Sequence, residues 1–96
     1  MTGRNLMYYV YILHLKNGDL YKVSTANLVE RCNEHKNDKV TTTRRQAPAL
    51  IHYECYKLKS DALRRERFLK TTEGRRLLHQ QIRDILLQYK NHSTPS

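Results

Sequence analysis

The sequence has few of the residues that stiffen or cross-link a small fold. Its 96 residues include two cysteines, two prolines and three glycines, and no tryptophan. Cys32 and Cys55 are too few and too far apart for a disulfide scaffold or a zinc knuckle. Because both stand among apolar neighbours, the sequence predicts that they are reduced thiols in the core of a cytoplasmic protein.

Long apolar runs are absent as well. No segment approaches the ~20 apolar residues that a membrane-spanning helix needs. The N-terminus lacks the apolar stretch of a secretory signal, and nothing repeats at a fixed period. The sequence therefore predicts a soluble protein with no membrane partner.

Acidic residues are also scarce relative to basic ones. There are 9 Asp and Glu against 18 Lys and Arg, which leaves a net charge of +9. On so short a chain this charge favours nucleic acid over protein as the partner, although a basic surface that only maintains solubility is an alternative. Eight of the basic residues lie at positions 57–76, against three acidic residues. This stretch is predicted to face phosphate groups.

The pattern of apolar residues predicts one small α+β domain at residues 8–90, with tails at residues 1–7 and 91–96. Strands are predicted at residues 8–15, 20–24 and 50–56. The first strand is almost continuously apolar, as a central strand covered on both faces would be, and Asn17-Gly18 predicts a tight hairpin after it. Helices are predicted to start after Asn27, at Ser60, and at Thr71 or Thr72, with a loop at residues 36–48. The result is a three-stranded antiparallel sheet flanked by helices, in the order ββαβαα.

Arg31 and His35 are one turn apart on the first predicted helix and share a face with Leu28 and Cys32. Their side chains should therefore lie beside the sheet. Taken singly, Arg31 also suits a surface position along its own helix, and His35 suits a helix C-terminus, where it complements the dipole. Only their joint position favours a functional site.

Glu66 falls on the apolar stripe of the second predicted helix, between Ala62, Leu63 and Leu69. A carboxylate that faces the core needs a partner. An arginine would serve in an ion pair, and a divalent cation is the other possibility. One carboxylate suffices for Mg²⁺ when water and a substrate phosphate complete the octahedron.

Four blocks of the sequence, in order, resemble the GIY-YIG nuclease superfamily. Tyr9-Val10-Tyr11 stands where that family has Gly-Ile-Tyr, and Tyr21-Lys22-Val23 stands where it has Tyr-Ile-Gly. Residues 24–35 resemble the family's stretch from the glycine turn through the arginine helix, and residues 62–70 resemble the block with its metal-binding glutamate. The likeness is to small stand-alone members related to the nuclease domain of the bacterial excision-repair incision subunit. Without it, tyrosines in strands are more typical of a core than of a catalytic site.

The resemblance implies a metal-dependent endonuclease of DNA phosphodiester bonds, with a link to DNA repair. Tyr11 and Tyr21 would line the scissile phosphate, one of them acting as or orienting the general base. Arg31 would stabilise the charge that develops on the phosphoryl oxygens, and His35 would assist proton transfer. Glu66 would hold one Mg²⁺ or Mn²⁺ ion, weakly in the absence of substrate.

Further basic residues are predicted to contact the nucleic acid. They are Lys22, Lys39, Arg44, Arg45, Arg64, Arg65, Arg67 and Lys70. The sequence does not predict the preferred nucleic-acid structure or the oligomeric state.

Two positions depart from the family pattern. Val23 replaces the glycine of the second motif and adds bulk where another group should approach closely. Lys22 replaces an aliphatic residue, and no asparagine occurs between Glu66 and Lys90 to support the glutamate as in the family. A catalytically degenerate nucleic-acid-binding module of the same fold is therefore the alternative function, and an assembly domain for acidic protein partners is a third.

Overall fold

The computed structural model describes residues 6–93, with residues 91–93 described as backbone. Its elements are β1 (Tyr8–His14), β2 (Leu20–Thr25), α1 (Leu28–Lys36), β3 (Ala49–Tyr56), α2 (Lys59–Leu69), α3 (Thr72–Gln81) and α4 (Arg83–Ser93). One 3-10 turn, Thr41–Thr43, lies between α1 and β3. The predicted α+β class and the order ββαβαα are confirmed, and the last predicted helix is divided at Ile82 into α3 and α4.

Only part of each predicted tail lies within the residues that the structure describes. Helix α4 continues through residues 91–93, which the sequence placed in the C-terminal tail. The tail positions 1–5 and 94–96 lie outside the described residues. No helix within residues 6–93 has the length and apolar content to cross a membrane.

β1 is the central strand of the antiparallel sheet, whose order is β2-β1-β3. Side chains alternate between its two faces, and both faces are buried. Val10 and Ile12 form one core with residues from α2, α3 and α4, and we call this side of the sheet the α2 face. Tyr11 and Leu13 form the other core, which includes Leu28 of α1, and we call this side the α1 face. The almost continuous apolar run of β1 follows from this two-sided burial.

The hairpin between β1 and β2 is formed as Asn17-Gly18 predicted. Gly18 has a φ of 93°, a conformation that residues with a Cβ rarely adopt. The amide of Leu15 donates to the carbonyl of Asp19 at 2.9 Å, and the Asn17 side chain accepts from the Asp19 amide at 2.9 Å. The turn fixes the register that pairs Tyr11 with Val23.

β3 has a register irregularity opposite Ile12 and Leu13. The extra residue lets Ile51 pack into the same core as Tyr56. Tyr53 lies instead on the α1 face, opposite Tyr11, and is 54% exposed. The expectation that Ile51, Tyr53 and Cys55 share one face was therefore wrong, because strict alternation does not anticipate an inserted residue. Cys55 is exposed and not a core thiol.

Two of the predicted helix starts are confirmed and one was wrong. Asn27 caps α1, its side chain accepting from the amide of Glu30, and Thr71 caps α3 by accepting from the amide of Gly74. Ser60 does not cap α2, which begins one residue earlier, after an extended Leu58 with no side-chain cap.

Gly74 allows α3 to pack against the end of α2. A Cβ at this position would lie 1.8 Å from the carbonyl oxygen of Phe68. We therefore expect Gly74→Ala to lower the free energy of unfolding by about 3 kcal/mol, because backbone must move to admit the methyl group. Denaturant unfolding followed by circular dichroism measures the change, with Gln80→Ala on the exposed side of α3 as the control. Equal stability of the two variants would contradict the packing described here.

Candidate active site

Three aromatic side chains from different elements meet on the α1 face of the sheet. Tyr11 extends from β1, Tyr21 from β2 and His35 from α1. The hydroxyl of Tyr11 lies 2.9 Å from Nε2 of His35, and Nδ1 of His35 lies 2.7 Å from the hydroxyl of Thr43. The Tyr21 ring contacts the same imidazole edge to face, with centroids 5.2 Å apart. His35 is therefore the common neighbour of both predicted catalytic tyrosines.

This arrangement follows from two periodicities in the sequence. Tyr21 pairs with Leu13 and Val23 pairs with Tyr11, so all four point to the α1 face. Leu28 packs into the same core and seats α1 there. His35 is buried one turn beyond Arg31, as the predicted helix face required.

Tyr11 and His35 are closed off from solvent. Tyr11 has no exposed surface and His35 is 1% exposed. Burial raises the pKa of Tyr11 to about 12, and the nearby Arg31 guanidinium opposes this rise only in part. Burial and the charge of Arg31 lower the pKa of His35, so the imidazole is neutral at physiological pH.

The direction of the hydrogen bonds follows from the donors present. The Arg31 guanidinium beside Tyr11 has only donors, so the phenol directs its proton to Nε2 of His35. A neutral imidazole that accepts at Nε2 carries its proton at Nδ1, where Thr43 is the acceptor. The residues form an ordered chain from phenol to imidazole to hydroxyl.

Tyr21 and Arg31 give this site its exposed surface, since both are only partly buried. Arg31 forms an ion pair with Glu34 on the same helix. The structure thus brings Tyr11, Tyr21, Arg31 and His35 together. A phosphate could contact Tyr21 and Arg31 directly, whereas Tyr11 lies inside and reaches the surface only through its neighbours.

Glu66 lies apart from these four residues, at the outer edge of β2. Its Oε1 accepts from the Ser24 amide at 3.1 Å and from the Ser24 hydroxyl at 2.6 Å. Ser24 pairs with Val10, and its side chain therefore points to the α2 face, opposite to Tyr11. Oε2 of Glu66 accepts from the ammonium group of Lys70 at 2.9 Å. The sheet edge separates the predicted metal ligand from the tyrosines.

The surroundings of Glu66 do not fit a resident divalent cation. Burial raises the pKa of this carboxyl group, but hydrogen bonds from Ser24 and Lys70 outweigh the effect and lower it overall. The carboxylate is therefore ionised, yet a lysine already occupies one oxygen. A further ammonium group, that of Lys22, lies close enough to be affected by the charge of Lys70, because its pKa is lowered by burial and then by the charges of Arg75 and Lys70. Within residues 6–93 no three His, Cys, Asp or Glu side chains come together to hold a metal ion.

The basic residues predicted to bind nucleic acid differ in their exposure and in whether they form ion pairs. Arg65 is held by the carboxylate of Glu54 at 2.9 and 3.1 Å and covers the ring of Phe68, so it joins α2 to β3. Arg64 forms an ion pair with Asp61. The exposed members are Lys39, Arg44, Arg45, Arg64, Arg67 and Lys70, and Lys22 is half-buried.

Three residues that lie near His35 or near Glu66 and Lys22 were not identified from the sequence. Thr43 lies in a run of three threonines in an aperiodic loop, and nothing in the sequence distinguishes the one that faces His35. Ser24 contacts Glu66 only through the packing of α2 against β2, and the charge of Arg75 acts on Lys22 from a helix that packs against α2. The basic stretch at residues 57–76 included Arg75, but no sequence signal linked it to Lys22.

Residues 7–79 match a family model described as the GIY-YIG catalytic domain. A UPF0213 protein of Staphylococcus haemolyticus is 40% identical over 67 residues, which cover 67% of this chain and 80% of the relative. A UPF0213 protein of Haloquadratum walsbyi is 34% identical over 85 residues, covering 84% and 96%.

A solved structure is also similar. The solution NMR structure of a UPF0213 protein from Bacillus halodurans superposes with a TM-score of 0.51 at 28% sequence identity. The match covers 76% of this chain and 82% of the solved chain.

The buried neutral His35 predicts a loss of stability in mild acid. The unfolded chain binds a proton at His35 near the ordinary pKa of 6.5, whereas the folded chain binds it only at lower pH. We expect the free energy of unfolding to fall between about pH 7 and about pH 5, and to fall less in His35→Gln. Circular dichroism melts across this range test the prediction, with exposed His79→Gln as the control. A similar pH slope in wild type and His35→Gln would contradict it.

Proposed function

The chain belongs to the GIY-YIG family, and from that membership we propose that it is an endonuclease that hydrolyses phosphodiester bonds of DNA. The observation that carries the proposal is the group of Tyr21, Arg31, His35 and Tyr11 on one face of a chain with a net charge of +9. The net charge favours a polyanionic substrate, and the grouped residues supply a cation, a partly exposed phenol and a fixed imidazole at one place.

Arg31 is the residue that would stabilise the reacting phosphate. Its guanidinium stays protonated and presents a planar set of donors to the phosphoryl oxygens. The ion pair with Glu34 holds it partly exposed at the rim of the site. Donors that are already oriented before the charge develops contribute most to lowering the barrier.

Tyr21 is the phenol that would meet the attacking water. It is partly exposed and stacks edge to face on His35, whose imidazole is held in place by Tyr11 and Thr43. A phenol acts as a base near neutral pH only where nearby cations favour phenolate. His35 accepts the Tyr11 proton at Nε2 and donates to Thr43 from Nδ1, so its role in the proposal is to hold the Tyr21 ring in place beside Arg31.

Nucleases of this family are generally metal-dependent, so activity is assayed with Mg²⁺ or Mn²⁺ present. Supercoiled plasmid DNA detects a single nick, and branched and single-stranded DNA test the preferred structure. These substrates separate strand cleavage from mere binding.

Arg31→Ala is expected to lower the nicking rate by about 10²-fold, since one oriented donor to the phosphoryl oxygens is lost. Arg83→Ala is the matched control, because Arg83 is an exposed arginine on α4 with a side chain that is 76% exposed. Rates are measured from the conversion of supercoiled to relaxed plasmid, after thermal melts establish that both variants are folded. Equal rates for wild type and Arg31→Ala would sink the proposal.

A second candidate function is a nucleic-acid-binding module without turnover, and the position of Val23 favours it. Val23 lies directly opposite Tyr11 and packs against it in the core of the α1 face. A glycine there would leave space beside the Tyr11 ring. DNA binding by wild type without nicking, together with nicking by the double variant Lys22→Ile and Val23→Gly, would select this function over the first.

A further inference from the structure

Three cationic side chains gather on the α2 face beside β2. Lys22 pairs with Ile12 and therefore points away from Tyr11, towards α2 and α3. Ser24 lies on the same face two residues further along β2 and donates to Glu66, which in turn accepts from Lys70 just after α2. Burial, and then the charges of Arg75 in α3 and of Lys70, lower the pKa of Lys22. We call Lys22, Lys70 and Arg75 the lysine–arginine cluster.

The charge of this cluster is not balanced within the described chain. Among residues 6–93, Glu66 is the single carboxylate bonded to it, through Lys70, and the charge of Asp19 has a smaller effect on the pKa of Lys22 than burial, Arg75 and Lys70 have. Neither Lys22 nor Arg75 forms an ion pair or a side-chain hydrogen bond with another residue at positions 6–93. Lys22 is also half-buried, so its ammonium group has lost part of its hydration without gaining a partner. Such a group is stabilised when an anion arrives.

Glu66 orients the cluster. Two hydrogen bonds from Ser24 fix the carboxylate against the edge of β2, and its side chain is only 18% exposed. Lys70 follows one helical turn later and is bound to the opposite oxygen, while its own side chain remains 53% exposed. The glutamate therefore holds an accessible ammonium group in a defined place.

We propose that the lysine–arginine cluster binds a backbone phosphate of DNA, with Lys70 and Lys22 occupying the role that a divalent cation at Glu66 would otherwise have. This proposal rests on DNA being the substrate. The cluster carries three positive charges against one negative charge, and a phosphodiester group supplies the missing anion. Glu66 acts as a positioning residue for Lys70.

The edge strand β2 connects this cluster to the candidate active site. Tyr21 and Lys22 are consecutive residues that point to opposite faces, and consecutive residues in a strand advance only about 3.3 Å. A DNA strand that crosses the outer edge of β2 would therefore meet Tyr21 and Arg31 on one side and the cluster on the other. The bound phosphate fixes the strand while a neighbouring phosphate lies at Tyr21.

Binding of labelled duplex DNA, followed by fluorescence anisotropy in EDTA, tests the cluster apart from cleavage. We expect wild type to bind without metal, and Lys22→Met and Lys70→Gln each to weaken binding by about 5-fold and to reduce the slope of log affinity against log salt by about 1. Lys36→Gln, at the exposed end of α1, removes the same charge elsewhere and should leave the affinity within about 2-fold, because long-range charge effects are screened. Thermal melts check that each variant is folded.

Glu66→Gln distinguishes the cluster from a metal site. It should keep or increase affinity for DNA in EDTA, because it removes a negative charge, leaves the cations, and keeps a side-chain oxygen that can accept from Ser24 or Lys70. A loss of affinity in EDTA as large as that of Lys70→Gln would show that the charge of Glu66 itself is needed and would overturn this part of the proposal. Equal weakening by all three lysine variants would overturn the proposal, and so would a requirement of wild-type binding for Mg²⁺. Inorganic phosphate is the competing ligand, and saturation of the cluster by free phosphate at micromolar concentration would also overturn it.

The outcomes separate the two proposals. Absence of DNA binding by wild type at low salt would defeat both. Binding in EDTA without nicking in Mg²⁺ or Mn²⁺ would defeat the endonuclease and leave the phosphate site in place. Nicking that depends on Arg31, with Lys22 and Lys70 variants no weaker than the Lys36 control, would defeat the phosphate site alone.

Discussion

The buried hydrogen bond between Tyr11 and His35 constrains the rest of this molecule. Neither side chain has contact with water, so each polar atom must find its partner inside the fold. The bond fixes α1 against the central strand, and the second bond from His35 to Thr43 fixes the loop after α1. Losing one partner would leave the other buried and unsatisfied, at a cost of about 1–3 kcal/mol. The same constraint that organises the α1 face also holds Arg31 and Tyr21 at its rim.

The alternation of β2 divides the charges of the site between two faces. Odd-numbered residues place Tyr21 and Val23 beside His35, and even-numbered residues place Lys22 and Ser24 beside α2. The aromatic side includes the partly exposed cation Arg31, whereas Lys22 and Lys70 lie near the carboxylate of Glu66 on the opposite side. The glutamate that was predicted to hold a metal ion is thus bound by a lysine, on the other face of the strand that carries Tyr21.

Local signals were sufficient for most of the fold and for half of the site. An almost continuously apolar run predicted the central strand, Asn17-Gly18 predicted the hairpin, and helical spacing placed Arg31 and His35 on one face. The bulge at Ile51 was not predictable, because an inserted residue leaves no mark in a short apolar pattern. The bond between Ser24 and Glu66 was not predictable either, since it depends on where α2 packs against an edge strand. The spacing of residues within one helix or strand can be recognised in the sequence, whereas contacts between different helices and strands cannot.

The bond from the Ser24 amide to Glu66 has a consequence for association between copies of the chain. β2 is an edge strand, and its outward amides could pair with a strand of another molecule. Glu66 occupies one of these amides, and the ammonium group of Lys22 interrupts the face beside it. A second strand would have to displace a fixed carboxylate and bring its own backbone against a cluster of like charges. The edge that would receive a DNA strand is thereby closed to sheet extension at Ser24.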